Sequence, residues 1–150
     1  MKKIDNFGIK HIWTILCSNS SIDQNTNNVS LFNVIEQVEL QTIDKKKIDK
    51  KMEKGIPLNS ELISLWNRKS SSKKDYQEKV EFIDPTGKVL NTIETPLKIP
   101  DNIQSFRMTF KIMGLKVTTA GEYCFKISAR EDKKDDFVEV ASLPLRVVIK

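Results

Sequence analysis

At 150 residues, 39% hydrophobic and 30% charged, the chain has the size and composition of one folded domain, 1–150, able to bury a core without metals or disulfides. That balance excludes a disordered chain, and no apolar run reaches the roughly 20 residues that span a bilayer as a helix. The net charge of +5 rests on 21 Lys and 4 Arg, an excess poor in the bidentate forks that phosphate- and base-reading sites favour.

In chain order, Met1-Lys2-Lys3 is followed by Asp5, Asn6, Gly8 and Lys10 and not by an apolar run, so a cytoplasmic location with reduced thiols is expected. Residues 11–18 are rich in β-branched and aromatic types and predict a first strand. Two polar turn clusters follow, Ser18 to Ser21 and Asp23 to Asn28. The second has Asp23, Asn25 and Asn27 at alternate positions. However, Asn28 and Val34 stand where a calcium loop needs Gly and a bidentate Glu, so a hairpin connection is predicted. From Val29 the alternation predicts a bent strand to about residue 42, although Asn33 with Glu36 also fits a helix capping box.

Residues 44–54 carry six Lys against three acids, and Gly55-Ile56-Pro57 closes the run. It reads either as one short exposed helix or as a solvated loop. Glu61 to Arg68 predicts a strand with Leu62, Ser64 and Trp66 on one face. Lys69 to Asp75 reads as a Ser/Lys loop, and Tyr76 to Ile83 as the next strand. Asp84-Pro85-Thr86-Gly87 is a strong turn feeding a partner strand, Lys88 to Ile93. Pro96 and Pro100 mark an edge or loose segment. Ser105 to Leu115 alternates clearly, with Phe106, Met108, Phe110 and Ile112 on one side. Thr118 to Ile127 predicts a tight corner at Gly121 and a strand whose Tyr123, Phe125 and Ile127 share a face. Ala129 to Asp136 reads as a charged turn, and Pro144 as a break in the last strand, Phe137 to Ile149. About seven or eight short strands in one domain predict an all-β sandwich.

The corner residues Gly121-Glu122-Tyr123-Cys124-Phe125 resemble the tyrosine corner of immunoglobulin-like domains, with Phe125 where antibody domains place a Cys. A wider set resembles an uncharacterised family of short prokaryotic immunoglobulin-like β-sandwich proteins. It comprises Trp13 to Ser18, Asn27 to Glu36, Asp84 to Gly87 and Ser142 to Val147. The resemblance implies an immunoglobulin-like sandwich and a prokaryotic or phage-like source, and it implies no activity.

No catalytic, cofactor or metal site is expected. His11 is the single histidine, and two Cys with one His fall short of an ordinary zinc site. Cys17 and Cys124 read as unpaired thiols, and the five glycines are too dispersed for a phosphate loop. The leading expectation is a non-enzymatic binding or accessory module for a protein partner or a second copy, with no membrane partner and no small-molecule substrate. The alternative is a basic nucleic-acid-binding protein using Lys45, Lys46, Lys47, Lys50, Lys51, Lys54, Lys73 and Lys74.

Overall fold

The computed structural model describes residues 7–40, 58–70, 74–117 and 119–150. The described residues form nine strands and no helix: β1 Ile9–Ile22, β2 Val29–Val34, β3 Gln37–Leu40, β4 Ser60–Arg68, β5 Gln77–Ile83, β6 Val89–Pro96, β7 Ser105–Ile112, β8 Gly121–Arg130 and β9 Val138–Ile149. The helix-or-loop stretch 44–54 lies outside the described residues, as does the centre of the Ser/Lys loop.

Two sheets pack face to face, one in the order β2-β1-β4-β7 and the other β3-β9-β8-β5-β6. All neighbours are antiparallel except β3, which runs parallel to β9. The alternating inward residues supply the core, with Leu62 and Trp66 from one sheet meeting Val80, Phe82, Tyr123 and Ile127 from the other. Phe82 sits between Tyr123 and Phe125, at ring-centroid distances of 5.3 and 4.9 Å.

Several expectations are corrected. The first strand extends beyond 11–18 to Ile9–Ile22, because Ser18 to Ser21 pair with β2 and do not turn. Their polar side chains are satisfied laterally: Ser20 Oγ donates to Glu61 (2.6 Å) and Asn33 Nδ2 to Ser18 Oγ (2.7 Å). Cross-strand pairing here overrides turn propensity. The bent strand after Val29 is two strands in different sheets, which raises the count to nine. Ile35 N–H still donates to Leu16 O in the first sheet (2.8 Å), while Glu36 O accepts from Arg146 N in the second (3.1 Å).

Pro144 does not break β9; it pairs opposite Cys124 within the strand. Arg146 N–H points toward β3, so by alternation the missing N–H of Pro144 points the same way. There β3 has not yet begun, since it pairs only with Arg146 to Ile149. The proline therefore costs no ladder bond. The irregularity lies earlier, opposite Ile127 and Ser128. Glu131, within the stretch read as a charged turn, is 2% exposed and pairs with Lys74.

The turn after β5 forms as its residues dictate. Gly87 N–H donates to Asp84 O (3.0 Å), Gly87 takes φ 92, and Asp84 Oδ1 accepts from Thr86 N and Lys88 N. At the other turn, Tyr123 O–H donates to Thr119 O (2.8 Å) and accepts from Thr119 N (3.2 Å), bonding back four residues before its own strand is under way. Pairing β4 with β7, and β5 with β8 and β9 alongside β6, reproduces the B–E and C′–C–F–G relations of an immunoglobulin-like sandwich, with the tyrosine corner at the start of the F-equivalent strand.

Tyr123→Phe removes both corner bonds and should lower unfolding free energy by about 1 kcal/mol, read from urea midpoints. Gly121→Ala should cost more, on the order of 1–3 kcal/mol, because φ is +141 and the new Cβ would lie 2.8 Å from Pro85 Cγ.

Candidate functional site

Of the lysines singled out from the sequence, Lys45, Lys46, Lys47, Lys50, Lys51, Lys54 and Lys73 lie outside the described residues. Lys74 is described, and its Nζ sits 2.9 Å from the buried Glu131 carboxylate, whose hydrogen bond and charge raise the lysine's pKa. It borders an open groove of about 560 Å³ floored by Tyr76 and Leu97. Arg68, Lys98 and Lys133 line it together with Asp75 and Asp101, and Arg68 donates to the carbonyls of Ile99 (3.3 Å) and Pro100 (3.0 Å). The groove is therefore lined by charges of both signs, with Lys74 paired to Glu131 and Arg68 tied to backbone carbonyls.

A second groove, about 590 Å³, opens where the chain crosses between the sheets. Ile15, Val34, Ile35 and Pro144 line it, with Glu122 and Arg146 at its rim. Strand addition along β9 at this groove is blunted by Pro144, which offers no donor to a newcomer.

The most unusual chemistry is buried. A bulge between His11 and Trp13 adds one residue to β1 against β4. In a regular strand, positions three apart point to opposite faces; the extra residue turns His11 and Thr14 to the same side. His11 Nε2 lies 2.7 Å from Thr14 Oγ1, Thr14 Oγ1 lies 2.9 Å from Ser64 Oγ, and Ser64 Oγ donates to Glu78 Oε1 at 2.8 Å. Thr14 and Ser64 are direct partners on β1 and β4, while Glu78 reaches in from β5 in the opposite sheet. The polar chain thus crosses the sandwich.

Glu78 is 0% exposed, and burial pushes its pKa up to about 7 despite the opposing hydrogen bond from Ser64. The Trp66 indole N–H also favours the ionised form, although its geometry falls short of a full hydrogen bond and Glu78 Oε2 has no partner. His11 is half-buried, packs edge-on to Trp66 (5.1 Å, 77°), and burial lowers its pKa. None of the four side chains lines either groove. The sequence held the signal for two of them. Tyr76, Glu78, Val80 and Phe82 alternate in phase, which places a carboxyl on the core face, and Ser64 shares a face with Leu62 and Trp66.

A separate feature is the β1–β2 hairpin. Ile12, Ile22, Phe32 and Val34 are four of the seven large hydrophobic side chains exposed among the described residues, and all lie between Ile9 and Val34. Ile35 N–H donates into β1, so alternation turns the main-chain groups of Ser30, Phe32 and Val34 toward the open edge. No charged residue occurs in β2, whereas the edge strands β3, β6 and β7 carry Glu39, Glu94 and Pro96, and Arg107 and Lys111. Arg107 Nη2 on β7 donates to Asn27 O (2.7 Å). Because β7 is the far edge of that sheet, this bond draws the hairpin tip across its outward face. The tip loop itself is closed by Asp23 Oδ1, which accepts from Asn25 N and Thr26 N and whose pKa those bonds lower. Cys17 and Cys124 are free thiols on different sheets, and burial and Glu61 raise the pKa of Cys17.

The geometry defines an immunoglobulin-like β-sandwich. The chain matches no family model and no curated protein. Among solved structures it is similar to an immunoglobulin-like protein from Pseudomonas aeruginosa, at 10% identity and a TM-score of 0.40, over 95% of this chain and 93% of that one. The class assignment rests on the strand order and corner of the chain itself.

The pKa of Glu78 sets a pH dependence. The unfolded chain releases this proton near 4.5, and the folded one holds it to about 7. Between those values the folded state binds more protons, so stability falls as pH rises and levels off above 7, by roughly 3 kcal/mol in all. Glu78→Gln should remove that fall, seen as flatter urea midpoints between pH 5 and 8.

Proposed function

We propose that this chain is a non-enzymatic binding module whose contact surface is the β1–β2 hairpin. The observation that carries the reading is a pair of exposed apolar side chains two residues apart on an uncharged edge strand, Phe32 at 51% and Val34 at 50% exposure. An extended segment from a protein partner, or from a second copy, would gain main-chain hydrogen bonds along Ser30 to Val34 and cover Phe32. Asn33, at φ 54, limits the regular part of that edge and favours a short, specific contact over open-ended stacking.

A binding role without catalysis also fits the burial of Glu78 in the core, with none of His11, Thr14, Ser64 and Glu78 lining either groove. The free thiols fit a cytoplasmic setting. The nucleic-acid alternative gains no specific observation, since the one described lysine of its set is paired with Glu131.

A photo-crosslinking side chain in place of Phe32 should trap one adduct of defined mass, either partner or dimer. Phe32→Lys should abolish the association, seen by sedimentation, with little change in unfolding midpoint. No adduct from position 32, with a monomer mass up to high concentration, would overturn this reading.

A further inference from the structure

The His11–Thr14–Ser64–Glu78 chain has only one consistent polarity when Glu78 is ionised. Each hydroxyl has a single proton to give. Ser64 gives its proton to Glu78 Oε1, so the Thr14 hydroxyl must donate to Ser64 Oγ, and Thr14 then has none left for His11. His11 must therefore donate from Nε2, which leaves Nδ1 unprotonated. Among the described residues nothing hydrogen-bonds Nδ1, and the half-buried ring leaves it to solvent.

We propose that this chain is a proton wire that couples the charge of Glu78 to the tautomer of His11, switching the group that His11 shows at the surface. One proton enters at His11 Nδ1. The Nε2 proton passes to Thr14 Oγ1, the Thr14 proton to Ser64 Oγ, and the Ser64 proton to Glu78 Oε1. Each of the three hydrogen bonds transfers one proton and reverses. His11 is neutral before and after, but changes from Nε2–H to Nδ1–H, so its outward nitrogen turns from acceptor to donor. Glu78 becomes a neutral acid donating to Ser64, which also ends the burial of an uncompensated charge.

The surroundings suit such a switch. Burial disfavours the charged form of His11, and burial holds the Glu78 proton up to about pH 7. Among the described residues, no charge from a neighbouring element shifts Glu78 toward one form. On β5 its in-phase neighbour is Val80, with Tyr76 just before the strand; from β4 it meets Ser64 and Trp66; its β8 partner is Ala129 and its β6 partner Thr95. Just past β8, Glu131 is paired with Lys74, and Arg130 and Lys79 lie over the Phe137 ring at 4.1 and 4.6 Å.

This inference is independent of the binding role, and its readout needs no partner. With one histidine in the chain, long-range proton–nitrogen NMR spectra of the labelled protein report the His11 tautomer without assignment ambiguity. Followed from pH 6 to 8.5 beside the Glu78 carboxyl carbon, the tautomer should pass from Nδ1–H to Nε2–H with the same midpoint as Glu78. Ser64→Ala cuts the wire, so the tautomer should no longer follow Glu78; Thr14→Val cuts it one hydroxyl further out should the first variant fail to fold. A single fixed tautomer through the Glu78 titration, a Glu78 that does not titrate in that range, or unaltered coupling in a folded cut variant would overturn the proposal. If neither variant folds, the coincidence of midpoints in the unaltered chain decides it.

Discussion

The crossing from β7 to β8 is the constraint on which the rest of the sandwich depends, and one phenol fixes it. Tyr123 is fully buried, yet its hydroxyl reaches back to Thr119, giving and receiving a hydrogen bond on the same residue. A buried phenol without partners would oppose folding; tied in this way, it sets where β8 begins. Once β8 is placed, its register with β5 and β9 follows, and Phe125 and Ile127 fall on the inward face beside it. Gly121 has to turn at φ +141 against Pro85, so the corner also fastens β8 to the β5–β6 turn.

Against that apolar frame, Glu78 is the expensive residue. Three positions of β5 alternate inward, and two of them, Val80 and Phe82, are apolar; the third is a carboxyl with one good hydrogen bond and one empty oxygen. Ionised, it costs several times what a leucine-sized side chain would gain there. The structure reduces this cost by keeping the proton to about neutral pH. The bulge at His11 and Trp13 completes the arrangement, since without it His11 and Thr14 would lie on opposite faces and the chain of hydroxyls would stop at Thr14.

How much of this was readable before the fold was known follows from the range of each interaction. Strands β5, β7 and β8 were legible because alternation is local, and the tyrosine corner because its partner lies only four residues away. Ser18 to Ser21 were misread because their fate depends on pairing with β2, and Pro144 because its tolerance depends on where β3 starts. The tie from Arg107 to Asn27 spans 80 residues and leaves no pattern in sequence. The polar chain was half legible. The phase of Ser64 and Glu78 placed both inward, but their meeting requires knowing that β4 and β5 face each other from different sheets.

That inter-sheet meeting also bears on why an acid persists in the core. A slip of one residue in β5 against β8 would carry Glu78 to the outward face, bring Gln77 or Lys79 inward in its place and turn Val80 and Phe82 out of the core. Only the native register gives all three hydroxyl-mediated bonds at 2.7, 2.9 and 2.8 Å. The chain therefore specifies the alignment of the two sheets, which a uniformly apolar interface would define less sharply. Specification alone, however, would be met by a neutral amide at position 78, at lower cost above pH 7. What an amide cannot do is gain and lose a proton, and only a titrating group gives the ordered hydroxyls between position 78 and the surface histidine something to transmit.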